Sequence, residues 1–403
     1  MKKKGCKAAI YVTLVMMAAA GFILYSVSIL PENYYQTDGS NLNSVTAFPS
    51  VLSSSAEKQQ NISKVNHYET QILLFGLIPV KRIGITVVPE KKLIPSGQSF
   101  GIKFFTEGVI VVGLSDIKTE NGSENPAFAA GIRVRDVILA IDGSKVNTVE
   151  EVSSIVEKSE GRQLSLTIKR NNSNFEVKVA PKKPSRESSY RIGAWVRDST
   201  AGIGTITYID PFNNNFAALG HGICDVDTGD LLLLNKATVY TAQITGINKG
   251  ERGKPGELRG VFLEDSQLGF LNINSQSGIF GKFDSTNNIE DAIPIAFKQD
   301  IAEGDAKILC TIDGIKPQYY SIQITKVYRN STLYSKNMMI KVTDENLLSK
   351  TGGIIQGMSG SPIIQNGKIV GAVTHVLVND PQRGFGIFIE NMLEASGEYK
   401  KAA

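Results

Sequence analysis

The chain has little of what many enzyme chemistries draw on: three histidines and three cysteines in 403 residues. Cys6, Cys224 and Cys310 are too few and too scattered for a disulfide scaffold or a paired-cysteine metal site. Apart from His221 and Cys224, no histidines and cysteines stand at ligand spacing, and two donors do not make a zinc centre. Neither a metal nor a cofactor is expected. An excess of one charge is also missing. The net charge is +4, part of it in the first seven residues, which excludes a nucleic-acid footprint.

Apolar sequence is plentiful. Hydrophobic residues make up 42% of the chain and charged residues 20%, the balance of a globular protein with a real core, long enough for two or three domains. Ala8 to Leu30 carries no charge over 23 positions, enough to cross a hydrocarbon core of about 30 Å as a helix. Lys2, Lys3, Lys4 and Lys7 precede it, and a positive flank belongs in the cytoplasm, so the rest of the chain lies beyond the membrane. The run is longer than a signal-peptide apolar region and lacks a small-residue cleavage pattern, so residues 1–31 read as a retained single-pass anchor. Residues 32–82, rich in Ser, Asn, Gln and Thr, read as a flexible spacer.

Residues 83–181 change to short β-type runs with one helix-like stretch, Thr148 to Ser159. Between them, Asn125-Pro126-Ala127-Phe128-Ala129-Ala130-Gly131-Ile132 leads into Arg135-Asp136-Val137-Ile138 and Ile141-Asp142-Gly143. This resembles the bacterial PDZ signature, departing at Arg135, where that family usually has glycine. PDZ domains add an extended peptide to a sheet edge. The resemblance implies that Ser99, Phe100, Gly101 and Ile102 form the loop that holds its terminal carboxylate. Residues 182–189 read as a linker. From 190 to 403, β-branched and aromatic runs between glycine and asparagine turns predict a mostly antiparallel β domain, barrel or sandwich, and a barrel is the form expected here. The expected fold is mainly β: an N-terminal transmembrane helix, an α+β PDZ domain, then the barrel.

Gly357-Met358-Ser359-Gly360-Ser361-Pro362 carries the chemistry. A serine hydroxyl needs a base to take its proton, and its tetrahedral product needs N–H donors aimed at the oxyanion. Glycines allow that backbone, so Gly357 and Ser359 are the expected oxyanion donors. The hexapeptide looks like the G-x-S-G-x-P motif of trypsin-like peptidases, ahead of a hairpin turning at Asn366-Gly367. Of the histidines, His67 sits at the spacer's edge and His375 falls in a strand after the serine. His221, in a Gly-His-Gly turn 138 positions before Ser359, is the expected base. An acid should orient the imidazole. The candidates from the residues alone are Asp225, Asp227, Asp230, Asp265, Asp291, Asp313 and Asp344.

The layout of anchor, spacer, PDZ and β domain, with Ala217-Ala218-Leu219-Gly220-His221-Gly222-Ile223 and Thr351-Gly352-Gly353-Ile354-Ile355-Gln356 running into the serine motif, resembles the SpoIVB peptidases of endospore-forming bacteria. That resemblance places the catalytic residues at His221, Asp344 and Ser359. It implies a sporulation endopeptidase in the forespore inner membrane, with its bulk in the intermembrane space. Implied substrates are the chain itself and a membrane-bound inhibitor complex of an intramembrane metalloprotease, which then processes a sigma factor precursor. An HtrA-like quality-control protease has similar parts but normally places the protease before the PDZ domain. An inactive PDZ scaffold would not need the intact motif.

Overall fold

The computed structural model describes residues 2–28, 30, 32–37, 52–54, 66–120, 122–171, 173–185, 189–226, 229–284, 289–331 and 333–399. Helix α1 (Lys2–Ser28) contains the apolar run as far as Ser28, and its Tyr11–Ser28 portion is long and apolar enough to cross a membrane. Strands β1 (Asn33–Thr37), β2 (Leu52–Ser54), β3 (Asn66–Leu74) and β4 (Ile78–Val88) then form one sheet in the order β1-β4-β3-β2. The flexible-spacer reading of residues 32–82 is therefore corrected. Ile72, Ile83 and Ile85 bury one face of this sheet, and Tyr35 of β1 stacks on Phe297 and on Tyr399, far away in sequence. The polar composition hid an alternation of apolar residues confined to Tyr68–Val88. Positions 38–51 and 55–65 of that expected spacer lie outside the described residues.

Strands β5 (Lys92–Pro95) and β6 (Ser99–Leu114) follow. The small hairpin β7 (Ile117–Thr119) and β8 (Gly122–Glu124), helix α2 (Pro126–Ala129), β9 (Val137–Ile141) and β10 (Ser144–Lys145) lead to helix α3 (Val149–Lys158), then β11 (Leu164–Arg170) and β12 (Ser173–Val179). Helix α3 is the expected helical stretch. Thr148 caps it, accepting from the Glu151 N–H while the Glu151 carboxylate accepts from the Thr148 N–H, a reciprocal pairing that satisfies end groups a helix leaves open. Its Val152 and Val156 pack on Val109, Ile138 and Leu166. Arg135 has φ 82°, a left-handed conformation that costs an L-residue about 1 kcal/mol and explains the family's glycine there.

The long strand β6 does double duty. From Val109 onward it belongs to the PDZ sheet, pairing with β9, whereas its first half enters a barrel with the strands that follow. These are β13 (Ala194–Ile209), β14 (Asn215–Ala218), β15 (Leu234–Asn248), β16 (Glu257–Ser275) and β17 (Gly278–Phe283). The pairing order β6-β15-β16-β17-β14-β13 closes when β13 returns to β6, Ala194 opposite Leu114 and Thr205 opposite Ser99. Phe100, Phe104, Ile206, Phe216 and Ile279 fill this first barrel. The Ser99-Phe100-Gly101-Ile102 segment is therefore not an exposed carboxylate loop, and that expectation is corrected. Ser99 and Phe100 are 0% exposed and Ile102 4%, and burying a side chain like Phe100 stabilises by roughly 1.5–3 kcal/mol. The glycine at 101 has another cause: a Cβ there would overlap the Phe262 ring. The two expected units, 83–181 and 190–403, share strand β6, because the chain opens the first barrel before making the PDZ lobe and completes it afterwards.

A short strand β18 (Ile293–Pro294), paired with β5, leads to the second barrel. It contains β19 (Gly304–Cys310), β20 (Gln318–Val327), β21 (Met338–Val342), β22 (Pro362–Gln365), β23 (Lys368–Leu377) and β24 (Asp380–Phe388), closed in the order β19-β20-β21-β24-β23-β22. Helix α4 (Glu345–Thr351) interrupts it before the serine motif, and α5 (Ile389–Ala395) follows. The β22–β23 turn has Asn366 at φ 51° and Gly367 at φ 74°, the two positive angles a tight two-residue hairpin needs.

Candidate active site

Ser359 lies on the connection from α4 to β22, and the first barrel grips that connection. The Thr205 N–H donates to the Ser359 carbonyl (3.0 Å), the Thr205 hydroxyl to the Gly357 carbonyl (2.8 Å) and the Thr207 hydroxyl to the Gly360 carbonyl (2.7 Å). From its own barrel, Gly360 N–H donates to the Val373 carbonyl (2.7 Å). Gly360 has φ 96°, and a Cβ on it would overlap the Thr205 carbonyl oxygen. Glycine is needed here for close approach of the two barrels. Gly357 has φ 95°. Neither its N–H nor that of Ser359 is used in a hydrogen bond among the described residues.

His221 follows β14 through Leu219 and Gly220, both at positive φ, so the chain turns sharply before it. Its Nδ1 is 2.9 Å from the Gly222 carbonyl, which can only accept, so Nδ1 carries the hydrogen and Nε2 is left with a lone pair. Burial holds the His221 pKa below that of an ordinary imidazole, against the Gly222 hydrogen bond that raises it. The ring lies 5.1 Å from that of His375, centroid to centroid. Burial, with the charges of His221 and Lys336 opposing a second cation, pushes His375 down to about 4. Both rings are thus neutral near pH 7. The Ser359 hydroxyl donates to the Thr374 carbonyl at 2.7 Å. Ser359, His221, His375 and Gly357 line one cleft of about 500 Å³ between the barrels, together with Phe100 and Ile102 from the misread loop.

No acid completes this group: among the described residues, no carboxylate lines the cleft. Asp344 is the N-cap of α4, with Oδ1 accepting from Leu347 N–H (3.0 Å) and Oδ2 from Ser321 N–H (3.2 Å). Its carboxylate is thus committed to holding the helix that leads into the serine motif, and the expectation that it orients His221 is corrected. Asp225 is buried against Arg197 (3.1 Å), Asp230 lies near Arg135 (3.7 Å), and Asp265, Asp291 and Asp313 are exposed. Asp227 lies outside the described residues. Sequence reasoning missed the Gly222 and Thr374 carbonyls because backbone partners leave no residue signature. Replacing Asp344 by Asn should leave Ser321 N–H facing an amide NH₂ and lower stability by about 1–2 kcal/mol, with turnover per folded molecule within tenfold. Urea melts and kcat on the same samples check this, and a loss of about 10³–10⁴ would restore Asp344 as the orienting acid.

A serine on a glycine turn from one β-barrel and a histidine from another, sharing a cleft beside a PDZ lobe, define a serine peptidase. The SpoIVB peptidase S55 family matches residues 188–393, half of the chain, and the PDZ family matches residues 81–180. The chain belongs to the SpoIVB peptidase S55 family. It is also similar to a protein of Clostridium acetobutylicum named as a zinc metalloprotease, 27% identical over 114 residues, 28% of this chain and 32% of the relative. A protease of Enterococcus faecalis is 28% identical over 92 residues, 22% of each. The chain thus spans no more than about a third of the curated relatives it matches. Among solved structures, a protease of M. tuberculosis in its active form is 15% identical over 51% of this chain and 76% of its own, with a TM-score of 0.30. The HtrA-type protease AlgW with a tripeptide is 15% identical over 49% and 56%, with a TM-score of 0.31.

Proposed function

We propose that Ser359 is the nucleophile and His221 its general base. The single observation that carries this is that the glycine turn of Ser359 and the Nδ1-protonated His221 line one cleft. Rotation of the serine side chain away from the Thr374 carbonyl presents its hydroxyl to Nε2. The proton passes to Nε2 as Oγ attacks the scissile carbonyl, and the N–H groups of Gly357 and Ser359 receive the oxyanion. The Gly222 carbonyl, in place of an acid, fixes the tautomer and accepts from the imidazolium. Nε2 then returns the proton to the leaving amine, and water repeats the cycle to free the acyl group. A base works only when neutral. Because burial lowers the pKa of His221, the acid limb of kcat/KM should fall below pH about 6.5, and an inflection at or above that value would contradict the assignment.

Membership of the SpoIVB peptidase family supports the narrower reading: an endopeptidase of sporulation, held by α1 in the forespore inner membrane. It acts in the intermembrane space, cleaving itself and a membrane-bound regulatory complex of an intramembrane metalloprotease and so triggering sigma factor processing. Mass spectrometry of the purified full chain, incubated alone, tests the first step. The expected result is a new N-terminus between residues 32 and 82. An intact chain, or cutting inside a barrel, would overturn it.

A further inference from the structure

Nine residues in a row, Ile72-Leu73-Leu74-Phe75-Gly76-Leu77-Ile78-Pro79-Val80, carry no charge and no polar side chain. They form the tip of the β3–β4 hairpin, where the Leu77 N–H donates to the Leu74 carbonyl. Ile72 is buried, but Phe75 is 60% exposed, Leu77 82% and Ile78 57%. Phe75 (φ 52°) and Gly76 (φ 73°) take the two positive angles of a tight hairpin turn, where asparagine or aspartate normally precedes the glycine. A phenylalanine there is a strained choice that leaves most of the ring outside the fold.

The place of this tip in the fold says what covers it. Strand β1 runs parallel to β4 with Asn33 opposite Gly84. The chain leading back from Asn33 to α1, and β4 leading back from Gly84 to the tip, therefore run to the same end of the sheet. The Lys81 amine donates to the Leu30 carbonyl, and Val27 of α1 packs with Leu74 and Val80 on one apolar cluster. The tip is thus level with the last turn of α1, and Leu77 is three residues, about 10 Å of strand, beyond Val80. Lys81 and Arg82 follow the apolar run directly, as cations do at a headgroup boundary. A second exposed pair, Leu333 and Tyr334, stands at the same end, shortly after Asn330, whose amide donates to the Ser28 carbonyl at 3.2 Å.

We propose that this hairpin tip is a second membrane contact, with Phe75, Leu77 and Ile78 inserted among the lipids of the leaflet from which α1 emerges. The occupant is the boundary of headgroups and acyl chains in that same bilayer. Continuity with α1 selects it: a partner protein or a second copy would have to displace lipid at the level of the helix's last turn. An insertion of about 10 Å matches the depth at which the apolar face of a surface-bound segment settles. Leu333 and Tyr334 rest at the headgroups, where tyrosine is favoured. The peptidase therefore lies against the bilayer at the tip as well as at α1, which fixes its orientation. The cleft is fixed with it, because the Thr374 hydroxyl donates to the carbonyl of Ser335, the residue after Tyr334 (2.7 Å). This inference rests on the reading of α1 as a membrane anchor.

The test places one tryptophan at a time in the full chain, after Trp195→Phe removes the only native one. Each variant is reconstituted in vesicles of phosphatidylcholine and phosphatidylglycerol, about 4:1, with or without bromine on the acyl chains. Leu77→Trp should lose at least about half its fluorescence to the bromines. Phe22→Trp, inside α1, reports the anchor and should be quenched as well. Tyr319→Trp should keep its fluorescence, because Tyr319 is exposed at the far end of β20 from the Asn330 loop, about 25 Å away. Circular dichroism checks that each variant folds, and Ile78→Trp, read in the same way, stands in if Leu77→Trp does not. Quenching at Phe22→Trp with none at the tip, or equal quenching at the tip and at Tyr319→Trp, overturns the tip contact and leaves the anchor standing. If neither Phe22→Trp nor the tip is quenched, the anchor reading falls and the tip contact with it.

Discussion

Replacing Ser359 by alanine is expected to lower turnover by about 10⁶ while leaving the fold intact. The side chain makes one hydrogen bond, to the Thr374 carbonyl, worth about 1 kcal/mol, whereas the backbone bonds that grip the turn do not involve the hydroxyl. His221→Ala should cost a similar factor, and the double variant should be no worse than either, because nucleophile and base act as a unit. His375→Ala is the discriminating control. Its ring is beside His221, and its buried Nδ1 has no hydrogen-bond partner among the described residues. If His375→Ala lost as much as His221→Ala, the base would be misassigned. Self-cleavage and peptide turnover by the full chain provide the measurement. Retained turnover in Ser359→Ala would remove the serine from the reaction.

The next largest effect is expected from Gly360→Ala, one methyl group on a residue with no chemical role. At φ 96° an alanine is strained by about 1–3 kcal/mol, and its Cβ pushes against the Thr205 carbonyl and Leu219 N–H. To relieve the overlap the serine turn must back away from the first barrel, giving up the bonds from Thr205 and Thr207. The combined cost should exceed about 3 kcal/mol, and a misplacement of about 1 Å between Ser359 and His221 should cut kcat at least 10²-fold. Gly367→Ala provides the comparison, since that residue has φ 74° with open space around it. It should lose about 1 kcal/mol in urea melts and no turnover. If both variants behaved alike, backbone strain alone would account for Gly360.

These residues show which parts of the molecule were legible. Gly357-Met358-Ser359-Gly360 could be read because a turn that must accept close backbone contacts tolerates few residue types, and His221 because the chain has so few alternatives. The Asn366-Gly367 hairpin and α3, with its Thr148 cap, were legible because their determinants are local. Phe100 and Ile102 misled because a glycine beside aromatic and apolar residues before a strand looks the same in a peptide-binding loop and in a barrel strand. Only the pairing with β13 and β15, more than 90 positions away, decides between them. Asp344 misled for another reason: an aspartate before Glu345 is an ordinary helix cap. Residues 66–82 were missed because the short apolar pattern of β3 and the start of β4 follows a long polar stretch that dominates the composition.

The shared strands β6 and β13 also set an order of assembly. During synthesis the PDZ lobe has nearly all its strands by Val179, and they make mostly local pairings that form early. The first barrel waits for β17, ending at Phe283, and the serine motif emerges some 75 residues later still. The growing chain thus carries a folded PDZ lobe before it has a cleft. Until the serine motif joins the first barrel, Ser359 and His221 share no cleft and the growing chain has no means of cutting a peptide bond.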